Sequence, residues 1–180
     1  MKEKTFIIFL LATTLCFSQK YATKTGRVHF EASVPLFEDV DATNNNVVTV
    51  MNTATGDVAS VALIKNFKFK TPLMEEHFNE NYAESARYPK TTFSGKISGF
   101  SMAELSSAPR PCTVEGTLTF HGVSNRVNSS ANIYSRDGKI YLSGKFTAKP
   151  GDYKVSIPTM LTKKIAEKVN IDYHFELAKQ

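Results

Sequence analysis

Apolar and polar residues alternate along most of this chain, and that alternation restricts the fold more than any other feature. A period of two sets successive side chains on opposite faces of an extended strand, so one face is dry and the other wet. In "RVHFEASV", Val28, Phe30, Ala32 and Val34 oppose Arg27, His29, Glu31 and Ser33. In "CTVEGTLTFHG", Cys112, Val114, Gly116, Leu118 and Phe120 oppose Thr113, Glu115, Thr117, Thr119 and His121. Ile140, Leu142, Gly144, Phe146 and Ala148 form a third row, and Val169, Ile171, Tyr173, Phe175 and Leu177 a fourth. "TTFSGKISGF" turns Phe93 and Ile97 inward, and in "VASVALIKNFKFK" the residues Val61, Leu63, Phe67 and Phe69 share a face.

Turn signals separate these runs. Gly56-Asp57 is one, and Asp137-Gly138 is the strongest hairpin signal in the chain. After Pro150-Gly151, "DYKVSIP" reads as a short strand. Helical spacing occurs in the stretch around residues 74–84 and in "TMLTKKIAEKV", where Leu161, Ile165 and Val169 lie four apart. The expected fold is all-β, with about eight antiparallel strands and one or two short helices. Closure into a barrel removes exposed strand edges outright, and a two-sheet sandwich is the structural alternative. Eight strands enclose an interior just wide enough for packed side chains or one small ligand.

The first residues stand apart. Lys2 and Lys4 precede an apolar run from Phe6 to Phe17, and Cys16 and Ser18 place small residues at the −3 and −1 positions before Gln19. That pattern predicts an export signal over 1–18 and a single domain over 19–180. The apolar run falls short of the about 20 residues that span a bilayer, so no transmembrane segment is expected in the mature chain. Leu15 is too bulky for the position before a lipid-bearing cysteine, which argues against lipidation at Cys16. Once the leader leaves, only Cys112 remains, and no intramolecular disulfide can form. Burial and backbone hydrogen bonds must then hold the fold. The expected location is the periplasm or the exterior.

The formal net charge is +5, but the lysines are scattered singly along strands, where they keep a face soluble and block edge pairing. Nucleic-acid binders cluster their charge on one face, so no nucleic acid is expected as a partner.

The chemistry-rich stretch is "MEEHFNENYAESARYPKTTFSG", with Glu75, Glu76, His77, Glu80 and Glu84 close together. A catalytic zinc site draws on three protein ligands, commonly more than one histidine, and a calcium loop alternates acids around a glycine. Neither pattern is present. A helix that packs Leu73, Phe78 and Tyr82 inward, with its acids in water and Pro89 ending it, accounts for the same residues. No nucleophile elbow, phosphate-cradling loop or dinucleotide fingerprint occurs. The chain is therefore read as having no catalytic residues, metal or cofactor. Thirteen phenylalanines and no tryptophan point instead to an aromatic interior. Glycines beside the aromatics, as in Gly116/Leu118/Phe120 and Leu142/Gly144/Phe146, either permit curvature or leave a lumen unfilled.

Three segments resemble the YceI-like family. They are "EEHFNENYAESARYPKTTFSG", with His77, Tyr88, Pro89 and Phe93, then "GTLTFHGVSNRV" from Gly116 to Val127, and "KPGDYKVSIP" with the closing strand. The chain departs from the family pattern at Glu75-Glu76, where an Arg-Asp pair is common, and at "VPLFEDVDATNN", where a His-x-Gly segment often stands. The resemblance implies a secreted, lipocalin-like barrel whose lumen takes a polyisoprenoid or similar long-chain lipid, without catalysis. The candidate ligand contacts are then Phe30, Leu63, Phe67, Phe69, His77, Phe78, Phe93, Ile97, Leu118, Phe120, Leu142, Phe146, Tyr173 and Phe175. His77 is the candidate polar contact. The expected partner is one apolar small molecule, and a homodimer is the assembly considered. The alternative function is a non-catalytic structural or stress-related envelope protein with a filled barrel. An outer-membrane barrel is disfavoured by Lys65, Lys68, Lys70, Lys96 and Lys145 in mid-strand.

Overall fold

The computed structural model describes residues 19–32, 40–157 and 167–180. The expected leader and the first eight residues of the expected second helix, 159–166, lie outside them, as does Val34. Among the described residues nine strands form: β1 Lys20–Glu31, β2 Asp41–Asn52, β3 Asp57–Leu63, β4 Lys68–Phe69, β5 Lys90–Ile97, β6 Arg110–Phe120, β7 Val123–Arg136, β8 Lys139–Ala148 and β9 Val169–Lys179. All pairings are antiparallel. Eight of the strands run up and down in the order β1-β9-β8-β7-β6-β5-β3-β2, and the β1–β2 pairing closes the ring. The two-residue β4 pairs with the start of β2. The expected barrel is present, and closure leaves no long edge to protect.

Local chemistry explains each joint. Asp137 and Gly138 both hold positive φ, at 52° and 74°, which is the two-residue hairpin turn that Asp-Gly favours. His121 and Gly122 repeat that geometry, at 49° and 74°, between Phe120 and Val123. β1 shifts register around Gly26, where an added Cβ would lie 2.7 Å from the Phe175 ring and 2.9 Å from the Val47 carbonyl. Only a residue without a side chain lets the two strands close there. In β2, Asn44 is fully buried, donates to the Leu63 carbonyl at 3.0 Å and accepts from the Asn46 amide at 2.9 Å. It satisfies the backbone where the pairing with β1 skips from Val47 to Asn44.

One face assignment is reversed. Val58, Ser60 and Ala62 point inward from β3, while Val61 and Leu63 face out, 39% and 50% exposed. The turn of 3-10 helix over Ile64–Asn66 resets the phase, so Phe67 and Phe69 return to the interior. The chain then forms the only α-helix among the described residues, α1 Pro72–His77, capped by the Thr71 hydroxyl with Pro72 in its first turn. One turn of π-helix, Phe78–Tyr82, follows. Met74, Phe78 and Tyr82 meet the barrel, whereas Leu73 is 60% exposed. The helix stops at Glu84, which takes a left-handed φ of 44°, well before Pro89. "DYKVSIP" is not a strand: Pro150–Tyr153 make a 3-10 turn and Lys154 is left-handed. No helix among the described residues is long and apolar enough to cross a membrane.

The interior divides by height. At the end bearing the β2–β3 and β7–β8 hairpins, Met51, Ile97, Ile140 and Leu177 are at most 1% exposed and pack with Val47, Val58 and Ile133. Each such side chain contributes about 1.5–3 kcal/mol by leaving water. Phe100, from the β5–β6 connection, packs against this cluster over Gly56. This half is solid.

Candidate ligand cavity

The other half is hollow. A cavity of about 240 Å³ lies between the aliphatic plug and α1, with room for far more than one water. Its wall is almost wholly apolar. Along β9 the lining runs from Val169 to Phe175, roughly 20 Å of strand.

Four phenylalanines from four segments gather at the helix end. Phe30 of β1 lies 5.4 Å from Phe67, 5.8 Å from Phe69 and 5.4 Å from Phe78, and Phe69 and Phe78 are 5.1 Å apart. These tilted and edge-on pairs tie the helix to the barrel with directional contacts worth about 0.5–1.5 kcal/mol each beyond burial. Phe93, Leu118, Phe120 and Phe146 line the adjoining wall, and Leu142, Tyr173 and Phe175 lie toward the plug. Eleven of the fourteen expected contacts thus line the cavity. Leu63 faces solvent because of the phase reset. Ile97 is buried in the plug rather than at the cavity. His77 sits on the exposed side of α1 and does not line it.

The glycines do not create this space. An added Cβ at Gly95 or Gly116 would lie 2.5 or 2.6 Å from the tip of Phe93, and one at Gly144 would lie 2.4 Å from the Tyr173 hydroxyl. Each glycine is the seat of an aromatic ring. The void lies elsewhere, between the aliphatic plug and α1. Lining residues outside the expected contacts include Met74, Val127, Tyr153 and Ile171, of which only Ile171 stood in an expected inward row. Met74, Phe78 and Tyr82 recur every four residues, so Met74 carried a readable signal. Tyr153 did not, since its 3-10 turn has no periodicity to read.

The polar groups in the wall are few and mostly satisfied. Ser129 donates to the Lys145 carbonyl at 3.1 Å, which leaves the Tyr173 hydroxyl to donate to Ser129 Oγ at 2.9 Å. Burial pushes the Tyr173 phenol up to about 12, against a smaller opposing effect of the Ser129 bond. It therefore stays neutral near pH 7 and cannot serve as a base there. Thr49 and Ser60 share a hydrogen bond of 2.9 Å. Lys149 is the one ionisable cation among the described lining residues, and no carboxylate joins it.

Beside the cavity, His121 occupies the β6–β7 turn. Its Nδ1 lies 3.1 Å from the Tyr153 carbonyl, its Nε2 lies 3.4 Å from Glu84, and its ring meets Tyr88 edge-on at 4.5 Å. The histidine thereby ties the approach to β5 and the 3-10 turn to one hairpin, with the Glu84 carboxylate beside it. No three His, Cys, Asp or Glu side chains gather as a metal-ligand set among the described residues. What this arrangement can do chemically is enclose an apolar chain.

The YceI-like domain family matches residues 13–177. The chain belongs to the YceI-like family. Its solved relatives share the barrel. A polyisoprenoid-binding domain from Saccharophagus degradans, implicated in plant cell wall breakdown, is 16% identical with a TM-score of 0.78, over 90% of this chain and 99% of that one. BcnA of Burkholderia cenocepacia is 15% identical with a TM-score of 0.69, over 86% and 96%. The YCEI protein of Campylobacter jejuni is 17% identical with a TM-score of 0.61, over 99% of both chains. At such identities the likeness is one of YceI-like fold. No curated protein matches the chain.

Proposed function

We propose that this YceI-like protein is an exported, non-catalytic binding or carrier protein that holds a polyisoprenoid or similar long-chain lipid inside its barrel. The observation that carries the reading is the apolar cavity of about 240 Å³ between the plug and α1. Burial of each methylene contributes about 0.8 kcal/mol, so a long tail can be retained with almost no polar contact. That accounts for a wall with so few hydrogen-bonding groups. The polyisoprenoid-binding neighbour from Saccharophagus degradans supports the ligand class. The basic and apolar composition of residues 1–18 supports export to the periplasm or beyond.

The test begins with protein purified from a bacterial host, extracted with organic solvent and examined by mass spectrometry. A long apolar chain released in near-stoichiometric amount is the expected result. Protein that is repeatedly empty, and that takes up no long-chain lipid when mixed with it, would overturn the reading and leave only a scaffold.

A further inference from the structure

Tyr153 is 3% exposed and lines the cavity, yet its hydroxyl has no hydrogen-bond partner among the described residues. This is costly. An unpaired hydroxyl removed from water loses about 1–3 kcal/mol relative to a paired one, and native interiors rarely leave one so. The residue is held firmly: its ring packs edge-on against Phe120 at 6.0 Å, and its carbonyl lies 3.1 Å from His121 Nδ1. The turn that carries it is fixed on a second side by Asn125, which donates to the Asp152 carbonyl at 2.7 Å. A phenylalanine would fill the same position without the orphaned oxygen. The Tyr173 and Ser129 hydroxyls of the same wall contrast with it, since they satisfy one another.

We propose that the Tyr153 hydroxyl is the polar subsite of the cavity, and that the ligand is a lipid chain ending in a hydrogen-bonding oxygen, a hydroxyl or carbonyl, seated at the helix end. The inference rests on the carrier reading above and specifies the class of ligand. Burial, with a smaller contribution from the Asp152 charge, raises the phenol's pKa, so the group remains a neutral donor. A buried, unpaired neutral donor matches a neutral oxygen. A doubly charged phosphate end would need several cations, and Lys149 stands alone among the described lining residues. The tail then extends along β9 toward the plug.

The test compares geranylgeraniol with the hydrocarbon phytane, which has a similar chain but no oxygen. Both are titrated into delipidated wild-type protein and into Tyr153→Phe by displacement of a fluorescent fatty probe. Wild type is expected to favour the alcohol by about two- to tenfold, the worth of one neutral hydrogen bond. Tyr153→Phe is expected to lose that preference while binding phytane as before. The empty variant is also expected to melt no lower than wild type, because it removes a buried hydroxyl that bonds nothing. Equal binding of alcohol and hydrocarbon by both proteins, or a marked fall in Tm on removing the hydroxyl, overturns the assignment and leaves the apolar carrier standing. Binding of neither compound by wild type overturns both.

Discussion

Single residues decide whether the hollow half of the barrel holds together. Phe78 is half-buried among Phe30, Phe67 and Phe69, so Phe78→Ala removes the centre of that cluster. The expected loss is about 2–4 kcal/mol in chemical denaturation, and a loss no larger than that of a surface change would show that the ring does not pack there. Leu63 supplies the contrast. Although the alternation placed it inside, it is 50% exposed, so Leu63→Lys is expected to shift stability by no more than about 0.5 kcal/mol and to leave lipid uptake unchanged. On the outer wall His29 joins three strands, with Nδ1 2.5 Å from Asp172 and Nε2 3.3 Å from Asp41. Burial alone would lower its pKa, but bonding and charge from the two carboxylates outweigh burial and raise it above the ordinary histidine value. A raised folded value contributes stability that is fully present below about pH 6.5 and is lost as pH rises through that higher value. The Tm difference between wild type and His29→Gln is therefore expected to be largest on the acid side, while the carboxylates stay ionised, and to shrink steadily in a series up to about pH 9. A difference that grows with pH would contradict the raised value.

At the level of elements, legibility followed periodicity. β1, β6, β8 and β9 were readable because one face of each is buried and strict alternation marks it. The Asp137-Gly138 turn was readable because its two left-handed residues restrict the amino acids that fit. β3 was misread because the three-residue turn at Ile64–Asn66 shifts the count by an odd number, so a row extended backward from Phe67 lands on the wrong face. The helix was found, but its inner residue is Met74 rather than Leu73, since α-helical spacing puts the residue four before Phe78, not five, on the same face. The strands β5 and β6 approach closely where two glycines face each other in register, Gly95 with Gly116. A methyl group on Gly95 would lie 2.3 Å from the Glu115 carbonyl, a backbone atom that cannot step aside. Gly95→Ala is accordingly expected to destabilise the barrel by about 1–3 kcal/mol or more, measured by thermal or urea unfolding. The polar subsite at Tyr153 had no such signature, because an unsatisfied hydroxyl is a property of surroundings that only the assembled fold defines.

The molecule as a whole separates stability from capacity. One half is filled with aliphatic side chains and the other is lined with aromatics around empty space, so the second can change without dismantling the first. Val127→Trp, which projects an indole from β7 into the cavity, is expected to abolish uptake of a long-chain lipid in the displacement assay while the protein keeps its barrel by circular dichroism. Unchanged uptake would place the ligand elsewhere. The aliphatic plug also has a consequence for traffic. It makes the bore a cul-de-sac, so a tail that slides inward cannot be threaded through to the far side and must retreat by the path it took. Among the described residues, a carrier of this form would load and unload at the end away from the plug, and cargo too long for half a barrel would trail outside it.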